Sequence, residues 1–297
     1  MAKQSILDPA EKWLAKQFLP PDEYYAFLKE PDLMRDKLKE KIFNDVRVLI
    51  SKSNQYNPPF EPEKIMGYRK IKKIVWNENL TQREALLLPT QDGFYIHINP
   101  NKPNVRIRFS LAHEIGHTYF FDLNTSPPQK FYPAASSRTW VEEGYSCEIA
   151  REILMPEPYV YKIASKLSKA PSLSSLIQLK EIFQVSYEVL IMRLLHDAHV
   201  WNYNFWKNEL WNCIIILAEV SPSAKINDLR IKIYRSPKFK YRLRRIKSDE
   251  KIMREIKDVL KNNTQVDKLI PVGRHVSRYR IQGLRHKARG VFVITEA

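Results

Sequence analysis

The stretch His113-Glu-Ile-Gly-His117 restricts what this chain can fold into more than any other. Histidines four apart share a face only where the backbone is α-helical, because 3.6 residues complete a turn and positions i and i+4 lie one above the other. A helix is expected over residues 109–121, with Leu111 and Ile115 turned roughly opposite the imidazoles and into a core. Two imidazoles leaving one helix face can converge on a single divalent ion. Glu114, one residue on, lies near that face, where a carboxylate can take a proton from water held at the ion. His113 and His117 are therefore candidate metal ligands, and Glu114 is a candidate general base. A helix whose histidines merely bond to backbone or water would have no third ligand elsewhere.

That third ligand is sought in Trp140-Val-Glu-Glu-Gly-Tyr-Ser-Cys-Glu-Ile-Ala150, which reads as part of a helix over residues 140–154 ended by Pro156. Glu143, Cys147, Ala150 and Leu154 form one stripe, flanked by Ser146, Ile149 and Ile153. Glu142 and Glu143 both head this apolar arc, whereas Glu148 and Glu152 fall on the opposite side, expected to face solvent. A carboxylate turned into an apolar face is costly unless it is paired or bound to a cation. One of Glu142 and Glu143 is the expected third ligand. The competing explanation is two acids favoured at a helix N-terminus by its dipole. His196 and His199 sit near a later helix end, where His199 is a candidate oxyanion stabiliser and an ordinary surface histidine is the alternative. Tyr145 and His97 read as structural.

Residues 1–55 read as helical. Pro9 opens Ala10–Phe18, Pro20-Pro21 interrupt, and Met34, Leu38, Ile42, Val46 and Leu49 recur at helical spacing. After the proline-rich loop Asn57–Pro62, Ile71–Trp76, Ala85–Leu88 and Phe94–Ile98 read as short strands, the last two joined across Pro89–Gly93. Leu173–Phe183 and Tyr187–His196 read as helices, the second capped by Ser186. They have the look of a DNA-binding pair, but Tyr187-Glu-Val-Leu-Ile-Met192 has almost no polar side chains for base edges, so packing is expected. Beyond Trp211 the texture changes. Cys213–Val220 reads as a buried strand, Leu229, Ile231 and Ile233 alternate with Arg230 and Lys232, and an amphipathic helix runs from Ser248 to about Asn262. Val276–Ile281 and Gly290–Thr295 close the chain as strands. The expected fold is α+β: a mostly helical domain with a small β-sheet over residues 1–208, then a smaller basic α/β domain over 209–297.

Charge separates the same two parts. The net charge is +16, yet residues 211–297 carry 21 Lys/Arg against 8 Asp/Glu, and residues 1–210 carry 28 against 25. Lys238, Lys240, Arg242 and Arg244 alternate onto one face, and Arg278 with Arg280 repeats the arrangement. A sheet with one apolar and one cationic face is a candidate surface for nucleic acid or another polyanion; a solvated face is the alternative. Cys147 and Cys213 make no disulfide framework, and the apolar run Cys213–Ala218 is too short to cross a bilayer. No secretory signal opens the chain, so a cytoplasmic protein without membrane association is expected.

Arg108-Phe-Ser-Leu-Ala-His-Glu-Ile-Gly-His117, followed by Glu143 and then Ala150-Arg-Glu-Ile-Leu-Met-Pro156, resembles the ImmA/IrrE family of bacterial zinc metallopeptidases. Ser172–Leu195 is similar to that family's downstream helical pair, and Phe60–Gly67 and Asp92–Asn99 to its lead-in helix and strand. The resemblance implies a zincin-like fold of gluzincin type in which His113, His117 and Glu143 hold one zinc ion and Glu114 is catalytic. It also implies a substrate, a helix-turn-helix repressor whose cleavage switches on a stress, mobile-element or defence operon. Two positions depart from the pattern. Cys147 stands where the family usually has an asparagine or aspartate that supports a ligand histidine, and Arg151 replaces a small residue. Some members carry a C-terminal sensor domain of the GAF type, with which the element order beyond residue 213 is compatible. A zinc endopeptidase with a basic regulatory domain is therefore expected. The alternative is a non-catalytic nucleic-acid-binding regulator on a zincin scaffold, which would have no need of Glu114.

Overall fold

Helix α1 (Pro9–Phe18) begins on Asp8, whose carboxylate accepts the Ala10 N–H at 2.8 Å. Pro9, Pro21 and Pro31 start α1, α2 (Pro21–Lys29) and α3 (Pro31–Lys52), because a proline loses nothing where the N–H has no helical acceptor. Leu38, Ile42, Val46 and Leu49 on α3 are all buried, as their spacing predicts. The computed structural model describes residues 7–130, 140–167, 171–197, 203–204, 209–210, 213–220, 229–235, 250–272, 277–286 and 289–296. The chain divides into two compact units, residues 1–157 with 183–185, and residues 158–182 with 186–297. The change of texture near residue 208 thus falls inside the second unit, which also takes in most of the helices after Pro156.

In the first unit, β1 (Ile71–Trp76), β2 (Ala85–Thr90) and β3 (Gly93–Ile98) form a sheet ordered β1-β3-β2, with β1 parallel and β2 antiparallel to β3. Gly93 turns the β2–β3 hairpin at φ +153°, and a Cβ there would lie 2.1 Å from the Lys70 carbonyl oxygen, so only glycine fits. Strand β2 is left as an edge.

Helix α4 (Asn104–His117) starts five residues earlier than its apolar periodicity predicts. Its first turns are masked by polar residues, including a buried Arg108 that donates to the Phe60 carbonyl at 2.9 Å. The helix ends in a 3₁₀ turn, Thr118–Phe120, and leads into the short pair β4 (Phe121–Asp122) and β5 (Gln129–Lys130).

Helix α5 (Trp140–Leu154) packs directly on α4. A Cβ on Gly116 would lie 2.8 Å from the Ser146 carbonyl oxygen and 2.9 Å from its Cα, so the two backbones meet there. The far side of α5 does not face solvent as expected. Glu152 is fully buried and takes Arg47 Nε at 2.7 Å, and Glu148 takes Lys39 Nζ at 2.8 Å. Cations from α3 neutralise these acids, so α5 is covered where its sequence looks solvated. Tyr145 donates at 3.1 Å to Glu11, which Arg35 clamps through two nitrogens, and this ties α1 and α3 to α5.

The second unit contains α6 (Glu157–Leu167), most of α7 (Leu173–Phe183) and α8 (Tyr187–Met192), which Ser186 caps by accepting the Val189 N–H and which runs into a π-helical turn over Arg193–Asp197. A short pair, β6 (Tyr203–Asn204) and β7 (Glu209–Leu210), precedes a five-stranded antiparallel sheet. Its strands are β8 (Cys213–Val220), β9 (Leu229–Arg235), β10 (Gln265–Val272), β11 (Ser277–His286) and β12 (Arg289–Glu296), in the order β10-β11-β12-β8-β9. Helix α9 (Glu250–Asn262) buries Ile252, Ile256, Val259 and Leu260 against Ile214, Ile216, Ile281, Phe292 and Ile294.

The opposite face of this sheet is covered over its central strands, while Arg230, Lys232 and Arg280 on that face remain exposed. Ile215, Val291 and Val293 on that face are buried too. There the Leu173 N–H donates to Gln282, while Glu188 holds Lys232 Nζ at 2.8 Å and Tyr234 Oη at 3.1 Å. Helices α7 and α8 therefore lie over it, and the central strands read as unbroken apolar runs because both of their faces are buried. Strand β10, which the sequence reading passed over, is a sheet edge with weak alternation, and its Leu269 is exposed.

The α4–α5 contact has a direct test. Gly116→Ala is expected to cost roughly 1–3 kcal/mol by overpacking, lowering the thermal unfolding midpoint by several degrees. Gly67→Ala, where nothing lies within 4 Å of the added methyl, is the matched control and should leave the midpoint unchanged.

Candidate metal centre

Because α4 and α5 touch at Gly116 and Ser146, the imidazoles of α4 meet the first turn of α5. His113 Nε2 and His117 Nε2 lie 3.0 Å apart with their rings nearly perpendicular. Glu143 places Oε2 at 3.1 Å from His113 Nε2 and Oε1 at 3.7 Å from His117 Nε2. Among the described residues these three offer ligand atoms that all lie within 4.8 Å of one another.

The outer nitrogens show why a cation fits. His117 Nδ1 donates to Glu142 Oε1 at 2.8 Å, with Ser146 Oγ 3.2 Å away, and His113 Nδ1 lies 3.6 Å from Cys147 Sγ. With each Nδ1–H directed outward, both Nε2 atoms face inward beside a carboxylate, where a metal would take the place of a proton. Three electron-pair donors then face one point. Four-coordinate zinc, at about 2.0–2.2 Å from its ligands, would set them about 3.3 Å apart, within the spread seen here. Burial pushes His113 down, but its contacts to Cys147 and Glu143 and the field of Glu114 outweigh this and raise it to about 9, so the cluster favours positive charge.

The two acids at the head of α5 divide the work. Glu143, about a third exposed, reaches the front of the histidine pair, while Glu142 is fully buried behind His117. Its other oxygen accepts Lys130 Nζ at 2.8 Å, which neutralises a carboxylate that would otherwise be costly at that depth. Adjacent helix positions differ by about 100° in direction, so both fit the apolar arc, and only the position of α4 separates them.

Glu114 is buried, and its Oε2 accepts the Leu87 N–H at 2.9 Å from the edge of β2 that β3 does not use. It lines a cavity of about 550 Å³ together with Arg83, Glu84, Ala85, Phe109, Ser110, His113 and Glu143. Phe109 stacks against His113 with ring centroids 6.1 Å apart. Sequence reasoning missed Lys130, the Leu87 N–H, Phe109 and the 83–84 wall. Of these only Phe109, one turn before His113, carried a signal in helical spacing.

The remaining candidates are dispersed. His97 pairs with Asn77 in the sheet, Tyr145 with Glu11, and His196 is exposed on the π-helical turn of the second unit. His199, Lys238, Lys240, Arg242 and Arg244 lie outside the described residues. Arg278 is on β11, and Arg280 is exposed but forked onto Asp267 with both contacts at 2.8 Å, which holds Asp267 below the usual carboxylate range.

Residues 72–195 match the family described as the IrrE N-terminal-like domain, a peptidase family, and the match spans His113, Glu114, His117 and Glu143. A Mycobacterium tuberculosis transcriptional regulator of known structure is similar in fold, with a TM-score of 0.51 at 12% identity over 98% of this chain and 81% of that one. No curated protein matches the chain in sequence.

Metal analysis separates ligands from their supports. Alanine at His113, His117 or Glu143 is expected to empty the site. Glu142→Gln, which keeps the shape but weakens the bond to His117, should lower metal affinity by roughly 10–100-fold. Equal loss in Glu142→Gln and Glu143→Ala by chelator competition would make Glu142 a ligand.

Proposed function

With residues 72–195 an IrrE N-terminal-like peptidase domain, we propose that this protein is a zinc-dependent endopeptidase holding one zinc ion on His113, His117 and Glu143. The observation that carries the proposal is the convergence of those three side chains, two of which, His113 and Glu143, line a cavity together with Glu114. Zinc, when bound, supplies Lewis acidity for attack on a peptide carbonyl. Everything else falls to the chain. Glu114 takes the proton of the attacking water and passes it to the leaving amine, held in place by the Leu87 N–H. Glu142 and Lys130 keep His117 presenting Nε2, and Cys147 faces Nδ1 of His113 from α5.

The substrate is a helix-turn-helix repressor, whose cleavage releases a stress, mobile-element or defence operon. The family supports this choice, as does a structural neighbour that is itself a transcriptional regulator. The five-stranded sheet and α9 serve as a regulatory domain, of the GAF type by fold analogy alone. A cytoplasmic enzyme fits this role, and no described helix is long and apolar enough to cross a membrane.

A non-catalytic nucleic-acid-binding regulator on the same scaffold is the competing proposal, and one experiment separates the two. The protein is co-expressed with the product of a neighbouring repressor gene and compared with Glu114→Gln. Wild type should cleave the repressor, and the variant should keep its zinc and fold while losing roughly 10²–10⁴-fold in rate. A repressor left intact by zinc-loaded wild type, together with salt-dependent binding of DNA or RNA, would favour the regulator instead.

A further inference from the structure

The cavity that His113 lines has an uneven charge arrangement. Glu84 is already engaged, taking Arg106 Nη1 at 3.0 Å and Ser110 Oγ at 3.2 Å. Its neighbour Arg83, two residues before β2, lines the same cavity, is exposed, and has no hydrogen-bond or ion-pair partner among the described residues. Ala85 and the ring of Phe109, which stacks on His113, line the same cavity and offer an apolar surface on which an extended side chain can rest. Arg83 is thus the one uncommitted cation among the described residues that line the cavity.

We propose that Arg83 selects substrates carrying an acidic side chain within about four residues of the scissile bond. The limit follows from the chain. Arg83 precedes Leu87, whose N–H holds Glu114, by four residues, and a chain spans at most about 3.3–3.6 Å per residue, so Arg83 can lie no farther from that point than four extended residues reach. The guanidinium suits the task because its planar fork meets a carboxylate with two parallel hydrogen bonds. A basic side chain at the same place would meet Arg83 itself, while the carboxylate of Glu84 is occupied by Arg106. The overall +16 charge acts in the same direction at longer range, drawing acidic partners toward the protein. This inference rests on the endopeptidase reading and adds a substrate class to it.

The test maps cleavage sites of the zinc-loaded full chain in a proteome-derived peptide library. Wild type should show Asp or Glu enriched within four positions of the cut, and Arg83→Glu should shift the enrichment to Lys or Arg. Binding gives a second readout that needs no turnover. A peptide containing the preferred site, and its Glu→Gln counterpart, are titrated into zinc-loaded Glu114→Gln by fluorescence anisotropy. The acidic peptide should bind roughly fivefold more tightly, the scale of a partly exposed charge pair, and adding Arg83→Gln should remove the difference. Cleavage without acidic enrichment, or enrichment that survives Arg83→Glu, overturns the role of Arg83 and leaves the peptidase standing. If wild type cuts nothing, the peptidase reading fails and this inference fails with it.

Discussion

Two helix backbones in contact at Gly116 and Ser146 set the geometry of the candidate metal centre. A helix carrying histidines at i and i+4 presents two nitrogens to solvent and no more. The third donor must come from another element, at a distance fixed to within a few tenths of an ångström. With no side chain at Gly116, α5 comes close enough for Glu143 to reach both imidazoles from the front and Glu142 to reach one from behind. Any bulkier residue there would hold the helices apart and break both relations together.

Helix α5 is in turn held by buried charge. Glu142 has Lys130, Glu152 has Arg47, and Tyr145 reaches the Glu11–Arg35 pair. Such pairs contribute little net stability over well-packed apolar residues, but removing one partner costs about 3–5 kcal/mol because the other is left uncompensated. They act as directional locks. An apolar interface would tolerate rotation of α5 about its axis, whereas three carboxylate and hydroxyl contacts to different neighbours do not. That rigidity suits a site whose donors must keep their positions whether or not a cation is shared between them.

The second unit follows another rule. The central strands of its sheet are buried on both faces, by α9 on one and by α7 and α8 on the other, so they carry no inside–outside alternation. The basic residues of β9 and β11 then divide by position. Lys232 is drawn into contact with Glu188, and Arg280 is paired across strands with Asp267. Both cations stay exposed, so these pairs reduce the positive charge of the strands without burying it.

Much of the first unit was legible from the chain alone. The prolines and Asp8 mark helix starts, the 3.6-residue spacing on α3 marks its buried face, and His113-Glu-Ile-Gly-His117 requires a helix with two donors on one side. These are local properties, decided by covalent geometry and by neighbours within one or two turns. The choice between Glu142 and Glu143 was not legible, because adjacent helix positions share the arc and only the placement of α4 tells front from back. Nor was the burial of Glu152, the covered second face of the C-terminal sheet, or the Leu87 N–H against Glu114. Each depends on residues tens to more than a hundred positions away in the chain. Local spacing was enough to name the donor groups of the candidate site and the element on which each one rides. Tertiary structure decided which of them meet, because distances between elements are set by close packing and by where buried charges find partners, and neither is encoded in local spacing.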